Sequence, residues 1–206
     1  MNLKEQFEAD LKLCPVVAIL RGIPVDDVET VCGFLFDAGI RLVEIPLNTP
    51  SALKCIDRAV TAFPDLLIGA GTVLTAQDVD DVAACGGKFI ISPNTDGEVI
   101  RRTKEKGLLS MPGFFTATEG FEAVKNGADY LKLFPAVLGP GYVKDLQAVI
   151  KTPIFAVGGV NAGNIPDFLK CCSGVGIGSA IYKPGKTMDD IRRDAVAIVN
   201  SAKHTA

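Results

Sequence analysis

The stretch LIGAGTVLTAQDVDDVAACG, residues 67–86, contains one complete unit of the pattern that decides the fold. It begins with a short apolar run (67–73), continues as an amphipathic segment (76–85) and ends at Gly86. A continuous apolar run is typical of a strand that is covered on both faces, as in a parallel sheet. The amphipathic segment is typical of a helix packed on such a sheet, and a closing glycine favours a left-handed C-cap. The unit therefore predicts one strand followed by one helix.

The same unit recurs along the chain with a period of roughly 25 residues, the length of one strand, one helix and two short loops. Apolar runs predict strands over residues 16–20, 42–47, 67–73, 89–92, 108–111, 130–134, 154–157 and 175–181. Helix-like segments between them include residues 25–38, 51–63, 76–85, 96–106 and 118–125.

Local signals mark the ends of several of these helices. Thr49 before Pro50 predicts an N-cap, and Thr116 with Glu119 predicts a capping box. Glycines after the last apolar position predict left-handed C-caps; they are Gly39, Gly86, Gly107 and Gly127.

About eight such units predict an α/β fold, a (β/α)8 TIM barrel, with residues 3–11 as an N-terminal helix that caps its bottom. A doubly wound open sheet is the alternative, but eight equal units favour closure. We expect residues 1–206 to form a single domain, because the sequence contains no linker or low-complexity segment.

The composition argues against several classes of function. The 206 residues carry a formal net charge of −3 without any basic, aromatic-rich run, so we expect no nucleic-acid partner. The apolar runs are too short to span a membrane and the N-terminus resembles no signal peptide, so we expect a cytoplasmic protein with no membrane partner.

Metals, cofactors and disulfides are also not expected. The six cysteines have no CxxC spacing, which favours free thiols, and the single histidine, His204, lies near the C-terminus. One histidine is too few for a zinc site built from several imidazoles, and no phosphate-loop or dinucleotide fingerprint is present.

Two charged residues, Glu44 and Lys132, lie on strands that are otherwise apolar, at the ends where this fold collects its chemistry. A lone charge in a core should be paired, neutralised or functional. One interpretation is a structural ion pair. The other is Schiff-base catalysis, because desolvation lowers a lysine pKa and leaves a nucleophilic amine that condenses with a ketone. A nearby carboxylate then moves protons next to the imine.

Four further strand ends carry candidate binding groups. Thr72 predicts either a simple turn or a carboxylate anchor, and Arg21 is either a solvated loop charge or part of that anchor. Glycine-rich ends of the last two strands predict a phosphate cradle made of backbone amides; these ends are Gly158-Gly159 and Gly178-Ser179.

These motifs together resemble the bacterial 2-keto-3-deoxy-6-phosphogluconate and 6-phosphogalactonate aldolases. The resemblance covers nearly the whole chain, through AILRG, VEIPLNTP, GAGTVL, SPN, PGFFTATE, LKLFP, AVGGV and GIGSAIY in order. It implies a class I aldolase without cofactor, usually a homotrimer, acting on a small phosphorylated keto acid. It also implies that Lys132 is the Schiff-base lysine and Glu44 the general acid/base. Thr72 and Arg21 would then hold the pyruvyl carboxylate or nearby oxygens, and the glycine-rich ends would hold the phosphate.

Two positions bear on the substrate within this family. Gluconate-type members carry threonine where this chain has Val157, and arginine where it has Asn48. Valine and asparagine resemble the galactonate type, so we expect cleavage of 2-dehydro-3-deoxy-6-phosphogalactonate to pyruvate and glyceraldehyde 3-phosphate. The gluconate epimer and 4-hydroxy-2-oxoglutarate are the alternative substrates. A sugar-phosphate epimerase or isomerase, and a non-catalytic barrel that binds a phosphorylated ligand, are the alternative functions.

Overall fold

The computed structural model describes residues 1–203, and His204 lies outside the described residues. Its strands are β1 (Val16–Ile19), β2 (Leu42–Pro46), β3 (Leu67–Gly71), β4 (Phe89–Ile91), β5 (Leu109–Met111), β6 (Gly113–Phe114), β7 (Leu131–Leu133), β8 (Ile154–Val157) and β9 (Gly174–Ile177). Its helices are α1 (Leu3–Leu13), α2 (Val28–Ala38), α3 (Ala52–Ala62), α4 (Ala76–Ala84), α5 (Gly97–Glu105), α6 (Ala117–Lys125), α7 (Gly139–Gln147), α8 (Ile165–Leu169) and α9 (Met188–Lys203). A 3₁₀ turn, Val25–Asp27, precedes α2.

All neighbouring strands pair in parallel, in the order β5-β4-β3-β2-β1-β9-β8-β7-β6. The two ends of that order, β5 and β6, are separated in the chain by Pro112 alone and are two parts of one barrel strand. The nine-stranded sheet therefore returns to itself around eight strand positions. This confirms the predicted (β/α)8 barrel, and the doubly wound alternative is wrong.

The interrupted strand corrects one predicted boundary. The apolar run predicts a strand over residues 108–111, whereas pairing resumes at Gly113 and continues to Phe114. Proline has no N–H to donate to a ladder, which accounts for the gap in the pairing. Its carbonyl oxygen still accepts a hydrogen bond from the Lys132 amide at 2.9 Å, so the barrel wall stays closed beside Lys132.

The helix ends follow most of the local signals. The capping box of Thr116 and Glu119 is confirmed, and all four glycines expected at C-caps have positive φ. The Thr49 prediction is wrong: α3 begins after Ser51, which has φ +56, and no side-chain hydrogen bond caps it. Thr49 instead is buried, and its hydroxyl accepts a hydrogen bond from the Gly22 amide at 2.9 Å, joining two loops at the barrel mouth.

The predicted N-terminal helix closes the bottom of the barrel. Phe7 of α1 is fully buried, and its ring contacts the rings of Phe89, Tyr130 and Phe155 at centroid distances of 5.7, 4.8 and 6.3 Å. These three residues lie at or beside the N-terminal ends of their strands, and the apolar layer they form leaves the opposite end of the barrel for a site. All six cysteines are free, as expected, and no helix within residues 1–203 is long and apolar enough to cross a membrane.

Candidate active site

Lys132 of β7 and Glu44 of β2 reach one cavity from different parts of the barrel wall. In the sheet order, β2 and β7 are separated by β1, β9 and β8. Both side chains are almost completely buried, with Lys132 5% and Glu44 1% exposed. Both nevertheless line a cavity of about 640 Å³ at the C-terminal ends of the strands. Barrel closure thus turns two residues 88 positions apart into one constellation.

The two side chains do not form the structural ion pair that was the alternative interpretation. No hydrogen bond or ion pair among residues 1–203 joins the Lys132 amine to the Glu44 carboxylate. The one close charged contact of Lys132 is with an aromatic ring, since its Nζ lies 4.7 Å from the ring centroid of Phe134. The amine and the carboxylate therefore both remain available to a ligand.

Burial controls the ionisation of both groups. Desolvation lowers the pKa of the Lys132 amine; the Glu44 carboxylate opposes this, and the Arg21 charge adds to it. Desolvation also raises the pKa of the Glu44 carboxyl, while the charges of Lys132 and Arg21 act in the opposite direction. The cavity therefore favours a neutral amine beside a carboxyl group that exchanges a proton easily.

The position of the Glu44 carboxylate depends on a glycine of the neighbouring strand. A Cβ at Gly71 of β3 would lie only 1.7 Å from Oε1 of Glu44. No side chain fits between the strand and the carboxylate, so Gly71 leaves the space that Glu44 occupies. In the sequence, this glycine was visible only as part of the GAGTVL motif.

Arg21 lines the same cavity, and an asparagine of the next loop orients it. Its Nη1 donates a hydrogen bond to Oδ1 of Asn48 at 2.5 Å. Arg21 is exposed, yet it lines the cavity and its charge acts on both Lys132 and Glu44. A contact between Arg21 and a ligand remains a prediction. Asn48, predicted only as a marker of substrate type, is thus a partner of Arg21.

Thr72 is the one predicted site residue that does not line the cavity wall. It follows β3, is half-buried, and has φ +55, a left-handed conformation that residues other than glycine seldom adopt. Such outliers concentrate at functional sites. A contact between Thr72 and a ligand remains a prediction.

The two glycine-rich strand ends line the same cavity, together with Val157. Gly158 and Gly159 have φ +96 and +79, and the carbonyl of Gly159 accepts a hydrogen bond from the Asn164 side chain at 3.0 Å. After β9, the carbonyl of Gly178 accepts hydrogen bonds from two later amides of a single helical turn, those of Ile181 and Tyr182. Three backbone amides in these turns have no hydrogen-bond acceptor within the described residues, those of Gly159, Ser179 and Ala180.

Several cavity residues were missed by the sequence analysis. Phe134 belongs to the quoted LKLFP motif, and Asn161 and Lys183 lie a few residues beyond the glycine-rich ends. Each of these residues lies close in sequence to a motif that was already identified. Sequence proximity alone does not show whether a loop side chain points into the cavity, because that depends on the conformation of the loop. Within residues 1–203, no cluster of three metal-ligating side chains is present.

The fold and site define a (β/α)8-barrel protein with a buried amine, a carboxylate and two glycine-rich turns around one cavity. The model of the KDPG and KHG aldolase family matches residues 7–199, and the chain belongs to that family. KDPG and KHG are the phosphogluconate-type and 4-hydroxy-2-oxoglutarate substrates named above.

Relatives of the galactonate type are the more similar ones. The chain is 44% identical to the probable 2-dehydro-3-deoxy-6-phosphogalactonate aldolase of Rhizobium meliloti (strain 1021), covering 89% of each chain. It is 43% identical to the 2-dehydro-3-deoxy-6-phosphogalactonate aldolase of Escherichia coli (strain K12), covering 91% of this chain and 94% of the other. Identity to the 2-dehydro-3-deoxy-phosphogluconate aldolase of Dickeya dadantii (strain 3937) is 28%, covering 95% and 97%.

Solved structures agree with this pattern. The native KDPGal structure superposes with a TM-score of 0.90 at 42% identity, covering 93% of this chain and 95% of that one. The KDPG aldolase of Legionella pneumophila, with pyruvate captured as a covalent carbinolamine intermediate, superposes with a TM-score of 0.82 at 28% identity, covering 97% of each chain.

Replacing Gly71 with alanine should displace the Glu44 carboxylate. We expect Gly71→Ala to lower aldolase turnover about 100-fold, because small misplacements of a reacting group cost rates of that order. The free energy of unfolding should fall by about 1–3 kcal/mol through overpacking. Steady-state kinetics and denaturant unfolding measure the two effects.

Gly141→Ala is the matched control, because a Cβ there meets no atom within 4 Å and the residue lies in α7. Its turnover should stay at the wild-type level, and its stability should rise by about 0.5–1 kcal/mol. Wild-type turnover in Gly71→Ala would show that the carboxylate position does not matter.

Proposed function

We propose that the protein is a class I aldolase that cleaves 2-dehydro-3-deoxy-6-phosphogalactonate to pyruvate and glyceraldehyde 3-phosphate. The observation that carries the proposal is the Lys132 amine, which is buried, unpaired with any carboxylate and open to the cavity in a member of an aldolase family. The galactonate-type relatives at 43% and 44% identity support the choice of substrate.

In the proposed cycle, the neutral Lys132 amine attacks the C2 ketone and forms a carbinolamine, which loses water to give a protonated imine. The Glu44 carboxylate takes the proton of the C4 hydroxyl, and the C3–C4 bond breaks with its electron pair moving into the imine. Glyceraldehyde 3-phosphate leaves. Glu44 returns its proton to C3 of the enamine, and water hydrolyses the resulting imine to release pyruvate and free Lys132. The carbinolamine of the Legionella enzyme supports the first step.

The ionisation of the site suits this cycle. A lysine whose pKa is lowered by burial holds more of its population as the reactive neutral amine at neutral pH. A carboxyl whose pKa is raised both accepts and returns a proton, as the two halves of the reaction require. Phe134 at 4.7 Å stabilises the cationic form of the nitrogen, the form that is also present in the protonated imine.

Binding of the two ends of the substrate follows the layout of the cavity. We assign the pyruvyl carboxylate to Arg21, with Thr72 as a further donor, because the Arg21 charge acts on both Lys132 and Glu44. We assign the phosphate to the unpaired amides of Gly159, Ser179 and Ala180, with Gly158 and Gly178 shaping the two turns. We assign Val157, which lines the same cavity, to the middle of the substrate.

Three further predictions remain: a homotrimer, implied by the family resemblance, and one domain over residues 1–206 with a cytoplasmic location, both from the sequence itself. Exposed apolar side chains around α6 and α7 support a contact between subunits. Phe121 is 50% exposed, Val137 68%, Leu138 55% and Val149 57%. Large exposed apolar residues that are grouped in this way are typical of interfaces.

Reductive trapping tests the covalent step. With pyruvate and borohydride, wild-type protein should gain one reduced pyruvate adduct per chain on Lys132, measured by intact-mass and peptide mass spectrometry. Lys132→Met should gain no adduct and should lose cleavage activity, yet remain as stable as wild type, since an apolar isostere replaces a buried amine.

An adduct that persists in folded Lys132→Met would rule out Lys132 as the nucleophile. Absence of any adduct in wild type would favour the epimerase or isomerase alternative, and saturable binding without turnover would favour the non-catalytic barrel.

The pH dependence of trapping tests the role of Glu44. Imine formation should slow as the pH falls through the pKa of Lys132, because the amine then becomes protonated. The Glu44 charge raises that pKa, so Glu44→Gln should shift the acidic limb to lower pH while cleavage falls by about 100–10,000-fold. Single-turnover trapping across pH measures the shift, with exposed Glu8→Gln as control. An unchanged limb in Glu44→Gln would contradict the electrostatic coupling.

Comparison of the two C4 epimers tests Val157. Its Cγ2 lies 2.7 Å from the position that a Cβ on Gly176 would take, so its orientation is restricted, and threonine fits the same volume. Val157→Thr should change the ratio of kcat/KM between the galactonate and gluconate substrates by about 10–100-fold toward gluconate, because a hydroxyl now bonds the substrate. Val157→Ala, which adds no hydroxyl, should leave that ratio unchanged. Equal ratios in all three proteins would remove Val157 as a determinant.

A further inference from the structure

Three cations line the cavity, and the proposed function uses two of them. Lys132 forms the imine and Arg21 lies beside it, held by Asn48. The third is Lys183, in the loop after β9 that also carries Ser179. Within residues 1–203, the Lys183 side chain makes no hydrogen bond or ion pair with the protein. It is a cation at the cavity wall whose charge is not neutralised.

The loop that carries Lys183 is anchored on both sides. Lys186, with a side chain only 10% exposed, forms an ion pair with Asp194 of α9 at 2.6 Å. The same amine donates to the carbonyl oxygens of Ala180 and Ile181 at 2.8 and 2.7 Å. One buried amine that makes an ion pair and two backbone hydrogen bonds restricts the path of this short loop, so the backbone at Lys183 is held at the cavity.

The other side of the loop packs against the loop after β1. The Cγ of Pro184 lies 2.9 Å from the position that a Cβ on Gly22 would take. Gly22 also has φ +77, so glycine suits this close approach in two ways. Lys183 therefore stands between a fixed turn at Ser179 and a fixed contact at Pro184, with only its side chain free to move.

Charge explains what such a side chain adds. Backbone amides and the Ser179 hydroxyl donate hydrogen bonds to a phosphate but carry no net charge, and the chain as a whole has a net charge of −3. Arg21 acts on the ionisation of Lys132 and Glu44, whereas Lys183 is not among the charges that act on either. Of the three cations at the cavity, Lys183 is the one carried by the same loop as Ser179 and Ala180.

We propose that Lys183 is the cation of the phosphate subsite and determines the preference for phosphorylated over unphosphorylated substrates. The predicted effect on substrate preference rests on the proposed aldolase function. The predicted ligand class, a phosphate monoester dianion, does not depend on that function. The free side chain folds over the phosphate held by the amides of the two glycine-rich turns. Lysine serves here as a point charge that needs no fixed geometry.

Lys183→Met removes the charge and keeps most of the stem. We expect kcat/KM for 2-dehydro-3-deoxy-6-phosphogalactonate to fall about 10–100-fold, mainly through KM, since charge-assisted hydrogen bonds contribute free energies of that order. The same ratio for the dephosphorylated substrate should stay unchanged, and so should kcat at saturation. Added salt should weaken wild-type use of the phosphorylated substrate more than that of the variant.

Two further variants separate the subsite charge from other effects. Lys183→Arg should restore most of the lost affinity. Lys88→Met makes the same change of net charge at an exposed lysine before β4, at the opposite end of the barrel, and should behave as wild type. Equal losses on the phosphorylated and dephosphorylated substrates in Lys183→Met, or equal losses in Lys88→Met, would overturn the proposal.

Binding of glycerol 3-phosphate, measured by calorimetry, decides the point without catalysis. Wild type should bind this non-reacting phosphate monoester about 10–100-fold more tightly than Lys183→Met. If wild type cleaves neither epimer, the proposed function is wrong, but the binding of glycerol 3-phosphate still tests the role of Lys183. Equal affinities, or no binding by wild type, would overturn the proposal even if the aldolase activity is confirmed.

Discussion

Desolvation of the Lys132 amine is the constraint on which the rest of the site depends. The amine is buried in the barrel wall at 5% exposure and has no carboxylate partner, so its charged form is disfavoured. A structure that needed only stability would place an apolar side chain there. Chemistry explains why the amine is tolerated, because the same loss of hydration that destabilises the ammonium ion leaves a nucleophile. The neighbouring charges change the pKa of this amine further, since Glu44 raises it and Arg21 lowers it. The Phe134 ring stabilises the cationic form.

Glycines shape the cavity around these charged groups. Gly71 leaves the space for the Glu44 carboxylate, and Gly176 leaves the space for Val157, so two side chains of the cavity wall depend on the absence of a side chain on a neighbouring strand. At the other end of the cavity, the positive φ values of Gly158 and Gly159 turn the backbone so that amides line the wall. In the proposed assignment, these backbone donors hold the phosphate, and Lys183 adds the charge that they lack.

Much of the fold could be predicted from the sequence because it is encoded locally. Apolar runs, amphipathic segments and closing glycines are read within about 25 residues of one another, and the resulting barrel with α1 at its bottom is confirmed. The errors lie where the same local sequence is compatible with two structures. Proline after residue 111 is compatible with the end of a strand, but here the strand continues beyond Pro112 to Phe114. Threonine before proline is compatible with a helix cap, but the Thr49 hydroxyl accepts a hydrogen bond from the Gly22 amide of another loop.

The sequence by itself determined which residues are chemically unusual, since a lysine and a glutamate on apolar strands are anomalous wherever those strands lie. Only the tertiary structure decided how these residues relate in space. It separated Lys132 from Glu44 enough that no ion pair forms, placed Thr72 outside the cavity wall, joined Arg21 to Asn48, and brought Lys183 to the glycine-rich turns. These relations cross the barrel between loops distant in sequence, so they depend on strand order and closure, which local patterns do not encode.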